Sequence, residues 1–255
     1  MFVNLRIYHT SQVNTEEYII QSSCGNYERK TWLIRGSQDY NHPLCLFLDA
    51  EHYINVVPST NNMNALPIIE SLIKNDKVPS MSILFVEHVN GDARHEDYTC
   101  NPNYAKFIAK DVVEWAKKQV PSIRSENNII CGLSLSGLLG AYISLHYPKV
   151  FSYCLSQSGS FWWKHEWFRK MATNLSAKHQ RYWLSVGNEE TDVNVSHPPS
   201  GLFQEINQIE GVKKAVVLLQ ELGGEVNFNL FQGGHKVEPL QAELPIALEW
   251  LLSDA

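Results

Sequence analysis

The sequence predicts a three-layer α/β sandwich, with a mostly parallel central sheet and antiparallel strands at its N-terminal side. Three observations predict it. Short apolar runs of strand length alternate with longer stretches of helical period. The first two strand runs follow one another with no helix between them. The chain has 255 residues, which suits one large α/β domain, so residues 1–255 are read as a single domain.

The strand runs are Glu17–Gln21, Lys30–Ile34, Leu44–Leu48, Ser82–Val86, Asn128–Cys131, Phe151–Ser156, Tyr182–Val186 and Val226–Phe231. The periodic stretches between them, Leu66–Asn75, Tyr104–Gln119, Gly137–His146, Val212–Leu222 and Leu240–Leu252, read as helices. Regular alternation of strand and helix implies parallel strands covered on both faces. Reactive groups then collect at the carboxyl ends of the strands. Ser134, Asp49, Gly187-Asn188-Glu189-Glu190 and Gly233-Gly234-His235 all fall at such ends.

Composition narrows the function. A hydrophobic share of 44% and a charged share of 19% describe an ordinary water-soluble globule. The net charge of −6 argues against general binding to nucleic acid or anionic membrane. No apolar run has the length of a membrane helix, and the first residues, MFVNLRIYHT, lack the pattern of a secretory signal. Cys24, Cys45, Cys100, Cys131 and Cys154 are odd in number, widely spaced and form no C-x-x-C pair. They read as free thiols in a reducing cytoplasm. The sequence carries no signal for the number of subunits.

The stretch Asn127–Gly140 carries the chemistry. An apolar run ends at Gly132, Ser134 follows two residues later, and Leu138, Ala141, Tyr142 and Leu145 then recur at helical spacing. In this strand–turn–helix context a serine becomes a nucleophile. The chain must reverse within about four residues, so its neighbours must be small; Gly132 and Ser136 meet that need. The pattern is G-x-S-x-S, one residue away from G-x-S-x-G. A Gly- and Ser-rich turn without catalytic work is the plain alternative.

A serine nucleophile needs a base, and the base needs a carboxylate to orient it. His235 is the candidate base, since it follows a strand and two glycines and lies C-terminal to every candidate acid. The other nine histidines (His9, His42, His52, His88, His95, His146, His165, His179 and His197) read as structural or solvent-exposed, and none has metal-ligand spacing. Glu189, Glu190 and Asp192 all lie just past Tyr182–Val186; Glu190 is favoured as the acid, with Asp192 second. Two backbone N–H groups must face the developing oxyanion. One is expected at Leu135, the other at Ala50 or Glu51 after Leu44–Leu48. No cofactor or metal is called for.

With these residues assembled, the chain resembles the enterochelin esterase / esterase D group of the α/β-hydrolase fold, the ferric-siderophore trilactone esterases above all. The resemblance runs from about residue 15 to the end. It is carried by LFLDAEHY, by FVEHVNGDARHEDYTCNPNYAKFIAKDV, by CGLSLSGLLGAYISLHYPKVFSYCLSQSGSFWW, by GNEE and by GGHKVEPLQAELPIALEWL. S-Q-S-G-S-F-W-W is its most specific piece. It implies the α/β-hydrolase fold, ester hydrolysis, and catalytic roles for Ser134, Glu190 and His235. Some members rely mainly on the serine–histidine pair. Ala50 and Ser136 stand where the family usually has glycine, and Arg94 in the family's arginine-bearing loop is followed by His95.

Arg94, Tyr98, Trp162 and Trp163 are candidate substrate-binding residues, able to line an aromatic, partly basic pocket for an anionic catechol ligand. Alternatively both tryptophans pack the core and Arg94 pairs with Glu96 or Asp97. Thr191–Leu202, with Pro198, Pro199 and Gly201, reads as a loop beside the site. The expected partner is a small-molecule ester. The expected reaction is hydrolysis through an acyl-enzyme. Acyl transfer to an alcohol, a general short-chain carboxylesterase and a non-catalytic siderophore-binding module are the competing readings.

Overall fold

The computed structural model describes residues 4–10, 13–38, 41–55, 61–164, 167–197 and 201–253, without the side chains of residues 4–10, 13 and 14. Pro198, Pro199 and His165 lie outside the described residues.

One nine-stranded sheet organises the chain. It contains β1 (Asn4–Thr10), β2 (Val13–Gln21), β3 (Glu28–Ile34), β4 (Leu44–Leu48), β5 (Ser82–Val86), β6 (Asn128–Leu133), β7 (Phe151–Gln157), β8 (Arg181–Gly187) and β11 (Glu225–Phe231), in the spatial order β1-β2-β3-β5-β4-β6-β7-β8-β11. β1, β2, β3 and β5 pair antiparallel in succession. From β5 to β11 every neighbour is parallel. β4, β5 and β6 are buried along their whole length, which is why each appears in the sequence as a mainly apolar run. β11 closes one edge and is mostly half-exposed.

The core lies on both faces of this sheet. One layer is built around Leu46, Leu84, Ile130, Cys154 and Leu184 with α6 (Leu135–His146) and α8 (Gln208–Glu221). The other is built around Cys45, Phe47, Phe85, Cys131 and Trp183 with α2 (Ala65–Lys74) and α9 (Val237–Leu251). All five cysteines are free, and four of them are buried.

Three expectations need correction. The helical spacing of Leu138, Ala141, Tyr142 and Leu145 predicts one buried face, but α6 is buried on every side from Leu135 to Leu145, as suits a helix packed directly under its neighbours. The single helix expected over Tyr104–Gln119 consists of α4 (Pro102–Lys106), a π-helical stretch at Phe107–Val112 and α5 (Val113–Gln119). The expected loop Thr191–Leu202 contains the start of a two-stranded hairpin, β9 (Val195–His197) with β10 (Leu202–Gln204). The short helices α1 (Ala50–Tyr53), α3 (Gly91–Tyr98) and α7 (Trp167–Met171) complete the described elements.

Candidate active site

The turn that carries the candidate nucleophile, Ser134, is set by crowding. β6 ends at Leu133, and Ser134 takes φ 55° and ψ −121° before α6 begins. A non-glycine residue in such a conformation costs on the order of 1–3 kcal/mol, so the surroundings must hold it there. They do so through the backbone: Ser134 N–H donates to Gln157 O at 2.9 Å, and Ser160 N–H donates to Ser134 O at 3.0 Å. Gly132 has no alternative, since a Cβ there would lie 2.3 Å from Ser136 O. Ser134 is half-buried at the end of β6, and its Oγ lies 3.1 Å from Ser160 Oγ. Among the described residues no hydrogen bond joins Ser134 to His235.

The candidate acid and base come from the ends of β8 and β11. Asn188 stitches the two loops together: its Nδ2 donates to Gln232 Oε1 at 2.8 Å, and its Oδ1 accepts Gly233 N–H at 3.0 Å. A Cβ on Gly187 would lie 2.2 Å from Gly233 O, so glycine permits the approach. Glu190 is turned back toward its own strand because Gly187 N–H donates to its Oε1 at 2.8 Å. Its Oε2 lies 2.7 Å from His235 Nδ1 and accepts Ser158 Oγ–H at 2.6 Å. Ser158 Oγ is also 3.0 Å from His235 Nδ1. Burial would raise the Glu190 carboxyl, but the hydrogen bond and charge of His235, with Ser158 and Gly187, hold it below the usual glutamate range. With Nδ1 engaged by the carboxylate, Nε2 of the 43% exposed His235 is the nitrogen left to accept a proton. Glu189 and Asp192 are exposed.

A second cluster lies at the end of β4. Asp49, fully buried with φ 58°, precedes α1. Arg94 clasps it bidentately, Nε to Oδ1 at 2.8 Å and Nη2 to Oδ2 at 2.7 Å. Arg94 is delivered by α3, which Asn90 caps by accepting Ala93 N–H at 2.9 Å. His88 Nδ1 lies 3.0 Å from Asp49 Oδ1 and 3.1 Å from Glu51 Oε2. Burial would lower the His88 imidazole, but the two carboxylates beside it push it up to about 9. Burial would raise Asp49, yet Arg94 and His88 hold it well below the carboxylate range. Ser136 Oγ–H donates to Asp49 Oδ2 at 2.7 Å.

Of the four expected substrate-binding side chains, three are buried and the fourth is engaged by a carboxylate. Arg94 is spent on Asp49, pairing with neither Glu96 nor Asp97. Tyr98 is fully buried, its OH accepting Asp49 N–H at 3.3 Å. Trp162 and Trp163 are both buried, Trp162 donating from Nε1 to Gln208 Oε1 at 2.5 Å and stacking on His197 at 5.0 Å. Both indoles belong to the hydrophobic cluster that holds Phe161 and Phe168, so the core claims them. Leu135, Ala50 and Glu51 sit at the first turns of α6 and α1, where backbone N–H groups have no partner four residues back. Sequence reasoning missed Ser158, Ser160 and His88, and placed Asp49 at a strand end without giving it a role. The S-Q-S-G-S run held the signal for the first two, while Asp49 and His88 meet only in three dimensions.

A mostly parallel sheet with a serine at a strained strand–helix turn, and a carboxylate–histidine pair at the ends of β8 and β11, is the layout of the α/β-hydrolase fold. Residues 33–251 match the family model described as "Putative esterase", and the chain belongs to that esterase family. The Iron(III) enterobactin esterase of Dickeya dadantii is 25% identical over 238 residues, covering 89% of this chain and 52% of that protein. The Iron(III) enterobactin esterase of Escherichia coli K12 is 26% identical over 157 residues, 60% of this chain and 38% of that protein. The chain thus spans about half or less of the length of these relatives. Among solved structures, the enterobactin esterase of Shigella flexneri crystallised with enterobactin superposes with a TM-score of 0.79 at 21% identity, covering 96% of this chain and 60% of that one. The BES protein from Bacillus cereus has a TM-score of 0.73 at 17% identity and covers 98% of this chain and 99% of its own. At these identities the structural likeness establishes the fold.

Proposed function

We propose that the chain is a serine esterase that hydrolyses carboxylic esters through an acyl-enzyme, and that its substrate is a ferric trilactone of the enterobactin type. The observation that carries the reading is the 2.7 Å contact of Glu190 with His235, at the same end of the sheet as the strained Ser134. In the reaction, Ser134 Oγ exchanges Ser160 for His235 Nε2, passes its proton to that nitrogen and attacks the ester carbonyl. Glu190 stabilises the imidazolium and stays ionised throughout. The N–H groups of Leu135 and of Ala50 or Glu51 receive the oxyanion. His235 returns the proton to the leaving alkoxide, and water, deprotonated by the same nitrogen, releases the acid.

The trilactone is supported by the names of the relatives. The free cysteines and the lack, among the described residues, of a helix long and apolar enough to cross a membrane support action in the cytoplasm, on a freely diffusing small molecule. One observation favours a second reading. Burial of Tyr98, Trp162 and Trp163 and the engagement of Arg94 leave no aromatic, basic pocket made from those four, which suits a general short-chain carboxylesterase.

One experiment separates the two: kcat/KM for a ferric catecholate trilactone beside p-nitrophenyl acetate and butyrate, with Ser134→Ala as control. A strong trilactone preference abolished by the substitution supports iron release. Activity confined to the small esters selects the carboxylesterase. Hydrolysis that survives Ser134→Ala overturns both.

A further inference from the structure

We infer that Ser136 and Asp49 form a buried brace that fixes the separation between the nucleophile turn and the oxyanion turn, making Ser136 a positioning residue for ester hydrolysis. The inference rests on the esterase reading above and adds to it a role for the residue at which this chain departs from G-x-S-x-G.

Ser136 has no exposed surface. Its Oγ accepts Leu133 N–H at 2.8 Å and lies 2.7 Å from both Leu133 O and Asp49 Oδ2. A hydroxyl has one proton to give, and the ionised Asp49 is the stronger acceptor. The side chain therefore grips the last residue of β6 with one lone pair and the end of β4 with its proton. Ser134 stands two residues before it. On the far side, Asp49 immediately precedes Ala50 and Glu51, whose N–H groups are the second oxyanion candidates. One hydroxyl thus links the two turns that must close around the same carbonyl.

The far end of the brace is anchored. Arg94 takes both Asp49 oxygens, His88 reaches Asp49 and Glu51 together, and His88 N–H donates to Glu51 Oε1 at 3.3 Å. Tyr98 accepts the Asp49 N–H, and His52 packs on His88 with ring centroids 6.1 Å apart. Two carboxylates face two cations, so the cluster balances its charge internally. Asp49, Glu51 and His88 also present ligand atoms within 4.8 Å of one another, as a cation site would. The bidentate Arg94 already occupies Asp49, so the cluster reads as an ion-pair hub. A hub with this many fixed partners has one arrangement, and oxyanion donors displaced by a fraction of an ångström lose much of their effect.

The test is Ser136→Ala assayed on p-nitrophenyl butyrate, with phenylboronic acid as the probe of the tetrahedral oxyanion. The expected result is a fall in kcat of about tenfold or more, with KM within about twofold and the boronate Ki raised by the same factor as kcat falls. A change confined to folding would lower the melting temperature and leave both ratios alone. Asp49→Asn is expected to act through the same brace, so the double variant falls no further than the weaker single variant. If Ser136→Ala does not fold, Arg94→Gln loosens the brace from its other end and is held to the same kcat, KM and boronate criteria. Wild-type kcat and boronate affinity in the substituted protein overturn the proposal, as do losses that multiply in the double variant. Activity that survives Ser134→Ala overturns the esterase reading and the brace's role with it. Loss in Ser134→Ala beside wild-type behaviour in Ser136→Ala overturns the brace alone.

Discussion

Ser158 donates its hydroxyl to the same Glu190 oxygen, Oε2, that holds His235 Nδ1, so the carboxylate has two partners on one atom while Gly187 N–H secures the other. Ser158 is fully buried and adopts φ 46°. Removing its hydroxyl as Ser158→Ala withdraws a bond that favours the ionised carboxylate, so the Glu190 pKa rises toward the ordinary range. The acid limb of the kcat/KM–pH profile is expected to move to higher pH, with kcat at neutral pH reduced only about threefold to thirtyfold. A profile superimposable on that of the wild type would place Ser158 outside the relay.

Glu190→Gln keeps the shape and removes the charge proposed to stabilise the imidazolium. The expected loss in kcat is about 10²–10⁴-fold, whereas Asp192→Asn, at an exposed position, stays within about twofold. Steady-state kinetics on one ester compares the two directly. The reverse order would hand the role to Asp192.

Gly132→Ala places a methyl 2.3 Å from the backbone oxygen of Ser136. Backbone cannot move aside as a flexible side chain can, so the turn must open. The expected outcome is a melting temperature lowered by several degrees together with loss of reactivity toward a fluorophosphonate probe, about 2 kcal/mol or more of destabilisation. An unchanged melting curve would mean that the turn is softer than its contacts imply.

His88 sets an alkaline limit. Its folded-state pKa is raised to about 9 from an ordinary 6.5, so its contribution to stability is complete below about pH 6.5 and is lost as pH rises through about 9. The melting temperature is expected to fall across that window, and His88→Asn to flatten the fall while lowering the whole curve. Parallel curves for the two proteins would assign the alkaline loss to other groups.

The hairpin of β9 and β10 reaches the site through one stack. His197 lies on Trp162, whose Nε1–H meets Gln208, and Gln208 Nε2–H donates to Ser158 O at 2.5 Å. Shortening the 191–202 segment is expected to alter the ratio of kcat/KM between bulky and small esters more than it alters the melting temperature. Equal loss on all esters with a large drop in melting temperature would make the segment part of the core.

The sheet was legible because burial on both faces leaves strands as mainly apolar runs, as in Leu44–Leu48 and Ser82–Val86. The segment GDARHEDY carries no apolar period, and α3 forms there under the cap of Asn90 and the pull of Asp49 on Arg94. Ser134 and His235 stood out because each sits in a local pattern that few other chemistries need. Glu190 was favoured over Asp192 along the chain, but the sequence does not show the Gly187 N–H that bends its side chain back under the strand. Trp162 and Trp163 looked equally suited to ligand and to core, and a sequence has no term for which side of a turn an indole falls. The Asp49 hub was invisible for a simpler reason: its members come from positions 49, 51, 88, 94 and 136, brought together only by the crossovers between β4, β5 and β6.

The proposed working groups sit at the ends of β4, β6, β7, β8 and β11, each supplied by a different loop of the chain. Such a layout separates inheritance from invention. Any one loop can lengthen, shrink or change its side chains while the four others keep the reacting atoms in place. A lineage built on this plan can therefore exchange one ester for another by local edits, without renegotiating the bond-breaking step.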